Sequence, residues 1–154
     1  MSAKIECTWF ICTVSKESFK NWEICKEISA WGIAASGHRK PKLDRVKKGD
    51  HLIIYAATKG FIATAIVTGP MSRPTSKEEA PWAGGVYRYG AIVPFRILVE
   101  LDEPMKVLFH KMIIEGTEIH TSRLQKGFSM ITGKDGNFLL NKISSSVKPI
   151  SKKK

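Results

Sequence analysis

Lys48-Gly-Asp-His-Leu-Ile-Ile-Tyr-Ala-Ala-Thr-Lys-Gly-Phe-Ile-Ala-Thr-Ala-Ile-Val-Thr68 is the stretch that decides the fold. It holds two apolar, β-branched runs, His51 to Ala56 and Phe61 to Thr68. Lys48-Gly49-Asp50 launches the first, and Thr58-Lys59-Gly60 turns it back into the second. Runs of this kind separated by a glycine-containing turn form a β-hairpin.

Upstream, Thr8 to Thr13 (Thr-Trp-Phe-Ile-Cys-Thr) is short, apolar and aromatic, which predicts a buried first strand. Ser15 then offers an N-cap. Phe19, Trp22, Cys25 and Ile28 follow at intervals of three, laying an apolar stripe along a helix that stops just before Trp31-Gly32. From Gly32 to Lys48 the periodicity disappears, and Arg39, Lys40, Lys42, Arg45, Lys47 and Lys48 make a basic loop.

Downstream of the hairpin, residues 69–85 carry Pro70, Pro74 and Pro81 and read as a long exposed connection, with Trp82 inside it. Tyr87 to Leu101 is β-rich, and Pro94 near its middle predicts an edge position or a bulge. Gly127 to Ile131 is a candidate last strand, Asp135-Gly136 a turn or cap, and Asn137 to Ile143 a short final helix. The order strand, helix, then several strands predicts an α+β fold with a curved, barrel-like sheet. The domain is expected at 1–143, followed by a basic Ser/Pro/Lys tail or linker at 144–154.

The chain's 154 residues fit one domain with one core. Its 25 Lys+Arg against 14 Asp+Glu give a formal net charge of +11, and a pI near 9.7. Taking Lys148, Lys152, Lys153 and Lys154 of the tail away from +11 still leaves +7. A polyanion, nucleic acid above all, is the expected partner. Cys7, Cys12 and Cys25 are odd in number and lack C-x-x-C spacing, which argues for reduced thiols over a disulfide framework or zinc site. With no signal-peptide or membrane-length apolar run, the expected compartment is cytoplasmic.

Catalytic patterns are missing from the sequence. His38, His51, His110 and His120 form neither H-E-x-x-H nor H-x-E. The glycines assemble no phosphate-cradling motif, and the adjacent pairs Glu78-Glu79 and Asp102-Glu103 suit separate solvation. No enzyme, metal or cofactor is therefore expected. Trp9 and Trp22 lie on apolar faces and belong to the core. Trp31, beside Gly32 and the basic loop, and Trp82, in a Pro/Gly-rich loop, stand where periodicity places no core residue. A base stacked on such an indole gains about 1–3 kcal/mol, so these two are candidates for a base cage.

Phe10-Ile-Cys-Thr13, Asn21-Trp22, Trp31-Gly-Ile-Ala34 and Val46-Lys-Lys-Gly-Asp-His-Leu-Ile-Ile-Tyr55 together resemble the EVE domain, a member of the PUA-like superfamily related to the YTH readers. The likeness covers most of residues 8 to 140 and is strongest up to Val67. It implies a PUA-like curved mixed sheet flanked by a few helices. It also implies recognition of a modified base, such as methylated cytosine or adenine in DNA or RNA, by flipping the base into a pocket in the sheet. On the same resemblance, Trp31 and Trp82 look like two cage walls, Asn21 like the polar group on the base edge, and the Gly32 backbone like an acceptor for an amino group. Arg39, Lys40, Lys42, Arg45, Arg73 and Arg88 would hold the flanking phosphates.

The leading expectation is thus a reader of a modified, methylated base. The resemblance extends to the recognition domain of McrB-type modification-dependent restriction systems, which implies an AAA+ GTPase or nuclease partner region. The alternative is a PUA-like RNA-binding module acting on tRNA or rRNA. A hydrolase or modification enzyme is a third reading, for which the sequence nominates no residue.

Overall fold

The computed structural model describes residues 7–14, 19–34, 46–76, 78–82, 89–125 and 128–146. The expectations for Ser15, Arg39, Lys40, Lys42, Arg45 and Arg88 lie outside the described residues. Strand β1 (Trp9–Val14) leads into helix α1 (Phe19–Ile28), strand β2 (Ala30–Ala34), the hairpin β3 (His51–Ala56) and β4 (Gly60–Val67), and the long strand β5 (Tyr89–Met105). A small hairpin, β6 (Phe109–His110) and β7 (Ile113–Ile114), precedes a 3-10 turn at Thr121–Gln125, strand β8 (Phe128–Ile131) and helix α2 (Gly133–Ser145). Six strands form one curled, half-barrel mixed sheet in the order β2-β5-β4-β3-β1-β8, the α+β architecture expected. Strands β1 and β3 run parallel, and their neighbours pair antiparallel.

The sheet is covered on both faces, which explains why β1 and β3 read as continuous apolar runs. Phe10, Cys12 and Val14 of β1, with Leu52, Ile54 and Ala56 of β3, enter one core layer together with Trp22 and Cys25 of α1. The alternate residues Trp9, Ile11 and Ile53 enter a second layer with Ile114, Leu124, Leu139 and Ile143. Period-two alternation of side chains feeds both layers at once. Among the described residues, no helix is long and apolar enough to cross a membrane.

Several boundaries differ from expectation. Trp31 and Gly32 do not begin a loop: they lie on β2, paired with Val93 and Ile92 of β5. Pro94 sits in an interior strand, not at an edge. Strand β5 pairs with β2 as far as Pro94 and with β4 from Phe95 onward, so the proline stands at the changeover between two ladders. Its carbonyl accepts from Thr68 N at 3.0 Å.

Helix α2 begins at Gly133, before the expected Asn137, and Asp135-Gly136 belong to its first turn. Thr132 is the N-cap, its hydroxyl accepting from Asp135 N at 3.2 Å. The buried Asp135 carboxylate in turn accepts from Glu118 N at 3.2 and 3.3 Å, tying the helix to the preceding segment. The β6–β7 hairpin carries no sequence signal, because its two-residue turn is Lys111-Met112 where such turns favour Asn-Gly. Both residues adopt the left-handed region, with φ of 54° and 66°.

Candidate functional site

Three of the four residues expected to bind a base come together, through a fourth that sequence reasoning missed. Asn21, half-buried on α1, donates from Nδ2 to the Tyr89 hydroxyl at 3.2 Å. The Tyr89 ring, at the first residue of β5, lies 5.0 Å from the Trp82 ring, tilted by 53°. Both rings pack onto Gly32, where an added β-carbon would stand 2.8 Å from Trp82 Cζ3 and 2.9 Å from Tyr89 Cδ1. Only hydrogen fits there, so the glycine is a notch that lets two aromatic rings reach the strand backbone. Tyr89 was readable beforehand only as a strand residue, because its link to Asn21 spans 68 positions.

Trp31 and Trp82 are both buried, 7% and 3% exposed, which corrects the expectation that they stand outside the core. Trp82 is drawn in by the Gly32 notch, and Trp31 by its place opposite Val93 in the β2–β5 ladder. Trp31, Trp82 and Tyr89 belong to the same core layer, together with Trp22 and Cys25 of α1. Strand β2, which carries Trp31 and Gly32, is an edge strand of the sheet.

Behind the notch lies Cys25 of α1, whose thiol is pushed up to about 12 by burial, with the Trp82 side chain and the Gly32 backbone pulling it down. That thiol is a buried, un-ionised packing group. Trp82 Nε1 is buried without a hydrogen-bond acceptor at bonding geometry among the described residues. The same residues contain no group of three His, Cys, Asp or Glu side chains able to hold a metal ion.

Arg73 is exposed and close to this cluster in register. Its neighbour Ser72 exchanges two backbone hydrogen bonds with Ile92, at 2.8 and 3.1 Å, and Ile92 is the partner of Gly32. Two strand spacings, about 10 Å, thus separate the Gly32 notch from the backbone beside Arg73.

No protein family's sequence profile matches the chain. Among curated proteins, 48 residues are 42% identical to a UPF0310 protein of Pyrococcus horikoshii; this covers 31% of the present chain and 30% of that relative. Solved structures match over nearly the whole length. The YTH domain of a Toxoplasma protein in complex with an m6A-modified RNA superposes with a TM-score of 0.62 at 12% identity, covering 93% of this chain and 94% of that one. The YTH domain of a Zygosaccharomyces rouxii protein, in complex with N6-methyladenosine RNA, gives 0.62 at 14% identity, covering 97% and 94%. The fold is therefore shared with YTH domains.

Proposed function

We propose that this chain is a non-catalytic, EVE-type reader that takes a modified, methylated base of a nucleic-acid strand against the Gly32 notch. The observation that carries the reading is the Asn21–Tyr89–Trp82–Gly32 cluster on a fold shared with YTH domains, two of which were solved with RNA containing N6-methyladenosine. In this reading Trp82 and Tyr89 supply ring faces at Gly32, and Trp31, its neighbour on β2 and a member of the same core layer, supplies a further wall. Asn21 reads the polar edge of the base, and a Gly32 backbone group takes its amino group.

A base can enter only if Trp82 gives way. Its N–H faces the Cys25 thiol, a weak acceptor, and finds no oxygen acceptor among the described residues, so little hydrogen bonding is given up when the ring moves. Flipping the base out of a stack costs a further few kcal/mol, offset by stacking on the indoles and by edge hydrogen bonds. The net charge of +11, with Arg73 beside the cluster and Arg39, Lys40, Lys42, Arg45 and Arg88 elsewhere in the chain, supplies phosphate affinity without sequence information.

RNA is the favoured polymer, because the two YTH domains described above were solved with RNA. An AAA+ or nuclease partner, as in McrB-type systems, belongs to the DNA version of the same reading. The mutational test is direct: Trp31→Ala and Trp82→Ala should each weaken binding of a modified strand by about 1–3 kcal/mol while leaving the unmodified strand nearly unchanged. Equal losses on both strands would sink the cage.

A further inference from the structure

The apolar side chains most exposed to solvent among the described residues gather at one point, far along the chain from the Gly32 notch. Leu108 is 70% exposed, Phe109 50% and Met112 57%, all within or beside the β6–β7 hairpin. Their setting is cationic. The run Lys106-Val-Leu-Phe-His-Lys-Met-Ile113 contains two lysines and a histidine and no carboxylate. Met112 O accepts from Thr121 N at 2.8 Å, which brings the turn carrying the exposed His120 and Arg123 alongside. Arg123 is held there, its guanidinium donating to Met130 O and Ser129 Oγ.

Of the neighbouring acidic residues Asp102, Glu103, Glu115 and Glu118, Glu115 is bonded to the tip itself, opposite Leu108, with its N–H donating to Leu108 O. Asp102 and Glu103 are on the β5 shaft, and the Glu118 backbone is tied to Asp135. The tip is also strained, both turn residues being non-glycine at positive φ. An exposed aromatic among cations, held on a strained two-residue turn, fits an unpaired base, which offers a π-face and an adjoining phosphate. A second copy of the chain is a poorer fit: three side chains fall well short of the roughly 800 Å² per partner of a standard protein interface.

We propose that the β6–β7 tip is a second nucleic-acid contact, with Phe109 stacking on an unpaired base of the strand flanking the one held at Gly32, and Leu108, Met112, Lys106 and Lys111 clasping that nucleotide. The proposal rests on the reader function above. It also carries a length requirement. Strand β5 runs from Ile92, opposite Gly32, to Met105, just before the tip, a contour that sets an upper limit of about 40 Å on the separation along the curled sheet. A short oligonucleotide therefore reaches one contact and a long one reaches both.

The test is fluorescence-anisotropy binding of the full chain to single-stranded RNA of about 5 and about 20 nucleotides, each with and without N6-methyladenosine. The variants are Phe109→Ala, Leu108→Ser, and Lys111→Asn combined with Met112→Gly. The last installs the residue pair that such turns favour, so a loss of binding cannot be ascribed to unfolding.

The proposal expects roughly ten-fold weaker binding of the long strand, modified and unmodified alike, with unchanged binding of the short strand and an unchanged ratio of modified to unmodified. Unchanged long-strand affinity overturns it, and so does an equal loss on the short strand. Unaffected RNA binding accompanied by loss of self-association in sedimentation, or of partition onto phosphatidylserine vesicles, also overturns it, by assigning the tip to protein or lipid. If wild-type protein shows no preference for the modified base while the length-dependent loss persists, the reader function falls and the stacking contact stands.

Discussion

Gly32 of β2 and Trp82 are fitted to each other: a single β-carbon on the glycine would come within 2.8 Å of the indole's Cζ3 and within 2.9 Å of the Tyr89 ring beside it. Two side chains fifty and fifty-seven positions downstream thus depend on the absence of a methyl group on one strand residue.

Gly32→Ala should accordingly push Trp82 out of its seat. Overpacking of this kind costs about 1–3 kcal/mol, which urea denaturation would register. Tryptophan emission should shift to the red in the same variant as an indole gains water. An alanine variant with unchanged emission and stability would mean that the notch is not needed.

Gly136 poses the same problem on the other face of the sheet, and there two effects compete. It lies inside α2, where glycine to alanine ordinarily gains about 1 kcal/mol of helix stability. The Trp9 ring, however, packs directly against the site that a β-carbon would fill. Steric conflict with a buried indole outweighs helix propensity, so Gly136→Ala should be destabilising by about 1–3 kcal/mol. A rise in thermal midpoint would show that Trp9 yields easily.

Asp50 holds the turn that starts the central hairpin. Its buried carboxylate accepts from Thr8 N at 2.9 Å and from Lys47 N at 2.8 Å, joining the entry of β1 to the entry of β3. Asp50→Ala orphans two backbone donors, and a loss of about 1–3 kcal/mol is expected on chemical denaturation. Asp50→Asn, which keeps one acceptor oxygen, should recover part of it.

His51 makes stability fall with acidity. Its ring stacks on Trp9, with centroids 4.1 Å apart and planes 9° apart, and its Nδ1 is buried without a hydrogen-bond partner among the described residues. Burial lowers its pKa below the ordinary 6.5, with the Asp50 carboxylate pulling the other way. As pH drops, the unfolded chain takes up the proton before the folded one does. The stabilisation is therefore whole above about 6.5 and is lost as pH falls through the folded value. Thermal melts between pH 7.5 and 5.5 should show a decline that His51→Phe, which keeps the stack, flattens.

Local pattern carried much of this architecture. The runs at Thr8 to Thr13 and His51 to Thr68 are apolar on alternate residues and in between because β1 and β3 are covered on both faces, and that composition is visible in any short window. The Phe19-Trp22-Cys25-Ile28 stripe marked α1 equally well. What escaped was non-local. Trp82 lies in a proline-rich segment with no periodicity, and it is buried because Gly32 and Tyr89 leave a seat for it. Gly136 resembled a turn residue because Asp-Gly usually is one, whereas here the glycine serves a tryptophan 127 positions earlier. The β6–β7 hairpin was invisible because Lys111-Met112 is an unfavourable pair for the turn that it makes. Of the candidate site, Asn21, Gly32 and Trp82 were legible as a set only through resemblance to the EVE domain, and Tyr89 not at all.

Whether the cluster at Gly32 reads a modified base is decided by binding to matched strands at one fixed salt concentration. Oligonucleotides carrying unmodified bases, N6-methyladenine, 5-methylcytosine or 5-hydroxymethylcytosine would be compared as RNA and as DNA by fluorescence anisotropy. A clear preference for one modified strand is expected, lost in Trp82→Ala, with RNA bound better than DNA. Uniform binding to every strand, falling steeply with added salt, would contradict it and leave the +11 charge as the whole source of affinity.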